Sequence, residues 1–419
     1  MQLMGRLMGA PQAAVVAGDV RANENIALTA AHTLFAREHN RIVGLLPRNL
    51  PEETKFQIAR RVVGAELQWI TYEEFLPSLG VRLARYRGYN PNVDASLSNE
   101  FATVGYRAHS MVHGDIDAPA ADGRYTQAQL DAFEQQGIDV ETENGELNLD
   151  VPLNVAFGNP GLVPEIGLGP LLEGLAAKRQ YRNDEQIDNQ LRSVLFQVPG
   201  ADVSDPSACH DGRDLPNCFR GVVDLGALDI ARERDHGIPS YNALRRAYGL
   251  LPKRSFSAIT GEASQSFPND PKIDGSHAID DPDILEFVRL LDRNGNEIQL
   301  GSEDADQEAV MGTRRTTVAA RLKAIYGDVD KVDAFVGMLA ERHVPGTEFG
   351  ELQLAMWRRQ FEALRDGDRF YYLNDPSLPV IRYLYGIDYR RSLAQLIVLN
   401  TDVHPGEIQR NVFRVPSSN

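Results

Sequence analysis

The chain has 419 residues, of which 42% are apolar and 24% charged, an ordinary globular balance that excludes a predominantly disordered chain. Its 43 Lys and Arg stand against 59 Asp and Glu, a net charge of −16, which argues against nucleic acid and against an anionic membrane surface as partners. No run of about 18 apolar residues occurs, so a membrane-spanning helix is excluded.

The first stretch, MQLMGRLMGAPQAAVVA, carries Pro11 in its middle and lacks the basic and apolar blocks of a signal peptide. It opens neither a helix nor a strand, so the chain reads as one that begins partway through a domain. A strong helix is expected over Ile26–Leu46, with Pro47 ending it. Pro51, Glu52 and Glu53 start a second helix, proline and acids being favoured in a first turn. It runs to about Phe75, closed by Pro77 and Gly80. A third helix is expected over Ser98–His113.

Residues 115–200 are dense in Gly, Pro, Asp and Asn, with short helices expected at Tyr125–Gln136 and Pro170–Ala177. Helices return at Leu225–Arg234 and Tyr241–Tyr248. A second turn-rich stretch, 254–306, contains a hairpin, LLDRNGNEIQL. Helices follow at 316–326, 329–340, 348–364 and 389–400. No repeat emerges. The expected fold is mainly α, a single large helical domain over 1–419 with long loops and strands only as local hairpins.

Several constellations could carry chemistry. His109 and His113 stand four apart on the third expected helix, the two-histidine half of a zinc site, but no glutamate follows His109 to serve as the base of a zinc hydrolase. Asp292, Asn294 and Asn296 resemble part of a calcium loop without its sixth-position glycine, and a plain Asn-Gly turn accounts for them. Arg234-Asp235-His236-Gly237 looks catalytic at a glance but reads as a buried ion pair at a helix end, with Gly237 just past it and Pro239 after. Asp366-Gly367-Asp368-Arg369 reads as a turn with an ion pair. Cys209 and Cys218 bracket a short polar stretch and are compatible with a local disulfide or with two thiols. Only six residues are lysine, so arginine carries most of the positive charge and suits carboxylate or propionate groups.

Taken in order, five segments resemble the animal-type haem peroxidases: AGDVRANENIALTAAHTLFAREHNRIV (17–43), GYRAHSMVHG (105–114), RERDHGIPSYNALR (232–245), LRDGDRFYY (364–372) and SLAQLIVLNT (392–401). The spacings and the NPGLVP stretch look like bacterial members. The resemblance implies a haem peroxidase that reduces hydrogen peroxide while oxidising organic donors or halides, in an extracellular setting. By this resemblance Arg21 is the distal arginine, Glu24 the glutamate that can form an ester with haem b, His109 the proximal iron ligand, and Asn400 the hydrogen-bond acceptor for His109. His32, His39 and the Arg234–His236 cluster match scaffold positions. A haem iron held by neutral histidine leaves its other face open to peroxide, where Arg21 supplies a cation as negative charge develops. An amide acceptor on the histidine implies a higher iron potential than a carboxylate would.

The departures matter as much. The family's distal histidine, a neighbouring ester-forming aspartate and the calcium loop lie upstream of the GDVR segment. Only 20 residues precede Arg21, none of them His. The calcium site and distal base are therefore expected on a missing N-terminal segment. The alternative function is a haem-binding remnant without turnover. Asn25 replaces the methionine that forms a sulfonium bond in the neutrophil member. Tyr106 stands where an arginine near a propionate is common, with Arg107 as a neighbouring substitute, and Gln395 stands where another arginine is common.

Overall fold

Helix α1 (Ile26–Leu45) begins at Asn25, whose side chain accepts from the Leu28 amide at 2.9 Å. Its buried stripe is Ile26, Ala30, Leu34, Glu38 and Ile42, one residue per turn. Helix α2 (Glu52–Trp69) has Glu52 and Glu53 in its first turn and continues as a wider π turn, Ile70–Phe75, ending at Leu76–Ser78. This computed structural model describes residues 11–415 apart from 144, 193–194, 196, 200–218, 274–278, 280, 293–294, 303, 306–308 and 310. Cys209, Cys218 and Asn294 lie outside the described residues.

Strands β1 (Asp115–Ala121), β2 (Asp139–Glu143) and β3 (Glu146–Pro152) form an antiparallel sheet in the order β1-β3-β2. The expectation of strands only as local hairpins is corrected here. β1 pairs with β3 across helix α3 (Gln127–Gln135), with Ile116 opposite Val151 and Ala118 opposite Leu149. Alternation in β3 points Leu147, Leu149 and Val151 inward, and they join α1, α4 (Leu168–Ala177) and the C-terminal Leu396 and Ile397 in one core.

A short ladder of β4 (Gln197–Pro199) and β5 (Phe219–Val222) precedes α5 (Leu225–Asp235) and α6 (Tyr241–Ala247). The expected hairpin is present as β6 (Phe287–Leu291) and β7 (Glu297–Ile298), with β8 (Met311–Arg314) on the other side of β6. Then come α7 (Val318–Tyr326), α8 (Ala334–Leu339), α9 (Glu351–Asp366), α10 (Ser377–Tyr385) and α11 (Leu393–Asn400). Helix α10 was not expected. Its Pro379 sits in the first turn, where a missing N–H costs little, and Leu378 and Ile381 are buried.

The third expected helix is also corrected. Only residues 99–105 are helical, with a π turn over Phe101–Gly105, and a separate 3₁₀ turn covers His109–Met111. The break follows from packing against α9. Gly105 lies so close to it that an added Cβ would stand 2.9 Å from the Met356 methyl. The Gly105 carbonyl takes two donors from α9, Trp357 Nε1 at 2.7 Å and Gln353 Nε2 at 3.1 Å. Tertiary donors thus satisfy a carbonyl that a continued helix would have used itself.

Candidate active site

His109 emerges just after this break. Ser110 behind it is buried and ties the turn to the 183–184 segment. Its Oγ donates to Asn183 Oδ1 at 3.3 Å and accepts from the Asp184 amide at 3.1 Å. Asn183 in turn donates to Gln353 Oε1 on α9 at 2.7 Å. The backbone around His109 is therefore held from two sides.

His109 Nδ1 lies 2.7 Å from Asp229 Oδ2. With Asp229 as the acceptor Nδ1 carries the hydrogen, and in the neutral ring that tautomer leaves the lone pair on Nε2. Nε2 has no hydrogen bond among the described residues, and the side chain keeps 22% of its surface exposed. A histidine so oriented by a carboxylate is the arrangement of a metal ligand. Asp229 itself is fully buried. Its Oδ1 has no hydrogen bond and lies 3.9 Å from Arg107 Nε.

Helix α5 places Asp229 there because both its ends are tied down. Asp224 caps its start, accepting from the Ala227 amide at 3.0 Å. Leu225, Asp229 and Glu233 form the inward stripe, and Glu233 accepts from the Phe335 amide at 2.7 Å. At the other end Arg234 pairs with Asp333 at 2.6 Å, and Gly237 follows at φ 67°. The helix end at Arg234–Gly237 is as expected, but the buried ion pair is corrected: the Arg234 side chain is exposed and its partner is Asp333, outside the motif. The His236 ring lies 3.3 Å from Thr103 Oγ1, which fastens α5 to the π turn before His109.

Asn400 is not the partner of His109. Its amide donates to Glu38 Oε2 at 2.8 Å and to the Leu396 carbonyl at 2.9 Å, fastening α11 to α1. Glu38 also accepts both arms of the Arg41 fork, at 2.6 and 2.7 Å. Beside it Glu66 is fully buried, and neither oxygen has a hydrogen bond. Burial first, then the field of Glu38, pushes the Glu66 carboxyl up to about 9. Sequence reasoning missed Asp229. The available signal was an aspartate on the core-facing stripe of α5, a position where charge needs a partner.

His113 and His109 do not form a ligand pair, which corrects the two-histidine reading. The His113 ring stacks on Tyr181 with centroids 3.8 Å apart, and its Nε2 lies 2.5 Å from the Arg179 carbonyl. Its Nδ1 faces Asp115 at 3.9 Å. Asp115, Asp117 and Asp150 cluster there, but Lys178 already sits among them, 2.7 Å from Asp115 and 2.9 Å from Asp117. Asp366 pairs with Arg365, not Arg369, so that turn's ion pair comes from the residue before it.

Arg21 and Glu24 lie in and just after a 3₁₀ turn, Val20–Asn23, that leads into α1. Asp19 caps this turn and engages Arg21 with both oxygens, Nε at 2.9 Å and Nη2 at 2.5 Å. That side-chain bond holds the Asp19 carboxyl well below the usual carboxylate range. The Arg21 side chain is 71% exposed. Tyr106 and Glu24 are among the groups whose fields reach it, so Arg21 lies near the segment that carries His109. Arg107 packs its guanidinium over Tyr106, 4.6 Å from the ring centre, and donates to the Thr103 carbonyl. His32 is exposed, bonds the Leu28 carbonyl and bears on Asp19, whereas His39 packs against Phe56.

The sequence matches the family model of animal haem peroxidase over residues 5–270 and 302–413. It is 29% identical to peroxinectin A of Dictyostelium discoideum over 400 residues, 95% of this chain and 57% of that one. It is 31% identical to lactoperoxidase of Mesocricetus auratus over 385 residues, 89% of this chain and 42% of that one. Among solved structures, peroxidase A of Dictyostelium discoideum aligns with a TM-score of 0.65 at 27% identity, covering 96% of this chain and 60% of that one. The chain thus spans about half the length of these relatives.

Proposed function

This chain belongs to the animal haem peroxidase family, and on that premise we propose that it holds haem through His109 and uses it to reduce hydrogen peroxide at the expense of a small-molecule donor. The observation that carries this reading is the His109–Asp229 pair, a carboxylate-oriented imidazole whose second nitrogen is unengaged. Bound haem would supply the redox chemistry, an iron able to accept peroxide oxygen and pass on oxidising equivalents. The residues of the chain do the rest. His109 would hold the iron through Nε2. Arg107, whose Nε lies 3.9 Å from Asp229, is the candidate cation for a propionate. Glu24, exposed next to Arg21, is the candidate for an ester to the porphyrin edge. Arg21 orients peroxide and offsets negative charge as the O–O bond breaks. For that it must exchange part of its fork with Asp19. An extracellular setting accords with the same family reading.

The test is reconstitution with haem. The unmodified protein should give the absorption and Raman spectra of a five-coordinate histidine-bound haem. His109→Ala should abolish them and His113→Ala should leave them intact. Damage by His113→Ala in place of His109→Ala overturns the assignment. Steady-state assays with peroxide and a phenol then measure turnover.

A further inference from the structure

The acceptor on His109 is a carboxylate, although an amide would orient the ring equally well. We infer that Asp229 is a positioning residue that makes His109 a strongly electron-donating ligand, biasing the site toward one-electron oxidation of aromatic donors over oxidation of halides. This rests on His109 being the axial ligand, as proposed above.

Three features of Asp229 support it. The bond to His109 is short, 2.7 Å, as expected where the acceptor is charged. It is the only side-chain hydrogen bond of Asp229 among the described residues, since Oδ1 has none. The nearby cation does not take the charge over, because Arg107 Nε stands 3.9 Å away and donates to the Thr103 carbonyl at 3.2 Å. Glu38 shows the contrasting case, with an arginine fork on both oxygens. A buried carboxylate that spends its acceptor strength on one N–H draws that proton toward itself and raises the basicity of the far nitrogen. A more basic ligand favours the more oxidised state of a metal and lowers its potential.

The substrate consequence follows from electron demand. With a phenol, one peroxide takes one electron and one proton from each of two molecules, leaving two waters and two phenoxyl radicals. With a halide, peroxide, one halide ion and one proton give one hypohalous acid and one water, and both electrons must leave the same hard-to-oxidise ion. A lowered potential penalises the second reaction more.

The experiment uses the haem-loaded protein. Spectroelectrochemistry compares the ferric/ferrous midpoint of the unmodified protein with Asp229→Asn. The variant should shift the ferric-to-ferrous ratio at fixed potential at least tenfold toward ferrous, about 59 mV for one electron. Asp229→Glu, which keeps the carboxylate, should stay within about threefold of the unmodified protein. In parallel, the kcat/KM ratio of a phenol to bromide should fall about tenfold in Asp229→Asn. An unmoved midpoint overturns the inference. Should Asp229→Asn fail to fold, the ferrous iron–histidine stretch of the unmodified protein decides. A frequency near that of a haem–imidazolate complex supports the inference, and one at the neutral imidazole value overturns it. If His109→Ala preserves the histidine-bound spectrum, the ligand assignment has failed and this inference with it. If His109→Ala removes that spectrum while Asp229→Asn leaves the midpoint in place, the inference alone has failed.

Discussion

Asp229 on α5 and Glu38 on α1 are both fully buried carboxylates on the inward stripe of a helix, yet their surroundings differ in kind. Glu38 is saturated by the fork of Arg41 and the amide of Asn400, with the uncharged form of Glu66 favoured beside it. Among the described residues the Asp229 side chain makes one hydrogen bond, and its partner is a ring with a second nitrogen to offer. The first arrangement ties α11 to α1 and leaves Glu38 itself no free acceptor. The second orients an imidazole. What separates the two carboxylates is therefore the ring with an unengaged nitrogen that Asp229 holds, not their burial.

The largest effect should separate the two centres outright. His109→Ala is expected to eliminate histidine-bound haem, while Asn400→Ala should retain the spectrum and lose stability, because α11 comes loose from α1. Haem titration followed by urea unfolding of both variants reads the two outcomes, and a lost haem spectrum in Asn400→Ala would erase the distinction. Next, Glu38→Ala leaves the partly buried Arg41 and the Asn400 amide without their acceptor. Breaking such a pair should cost about 3 kcal/mol in urea unfolding, and a loss under about 1 kcal/mol would place Glu38 among weak surface pairs.

Glu66 gives a pH test of the same centre. Its carboxyl is raised from 4.5 to about 9 in the fold. Between those values the unfolded chain has released the proton and the folded chain keeps it, so the unfolded state binds fewer protons and stability falls as pH rises. The contribution is complete below pH 4.5 and lost by about pH 9. Glu66→Gln should flatten that decline in urea midpoints between pH 5 and pH 9, and an unchanged slope would remove Glu66 as its source. The smallest expected effect lies on the His109 side. Trp357→Phe deletes one of two donors to the Gly105 carbonyl and should cost about 1 kcal/mol, with Gln353 keeping the turn and the haem spectrum in place. A spectral change as large as that of His109→Ala would show that the indole positions the ligand by itself.

Part of the proposed site was legible in the sequence. The GYRAHS segment points to His109 by resemblance, and GDVR points to Arg21 and Glu24. The partner of His109 was not legible, because Asp229 lies 120 residues away and the resemblance gave its role to Asn400, which closes an apolar helix. Asn400 instead reaches α1, at a separation of 362 residues. The pairing of His109 with His113 failed for a local reason: four-residue spacing means a shared face only if the helix continues, and here it stops at Gly105.

Local pattern determined α1 and α2, the helix end at Arg234–Gly237 and the hairpin around Gly295. Periodicity, capping side chains and turn residues act within a few positions of one another, so no distant partner is needed to read them. Tertiary structure alone decided three things: the sheet that joins β1 to β3 across α3, the break after Gly105, and the choice of Asp229 over Asn400 for His109. Each depends on groups brought together by loop closure over tens to hundreds of residues. Trp357 and Gln353 can end a helix at Gly105 only once α9 has packed against it, and a carboxylate becomes the acceptor for His109 only where α5 is pinned at both ends.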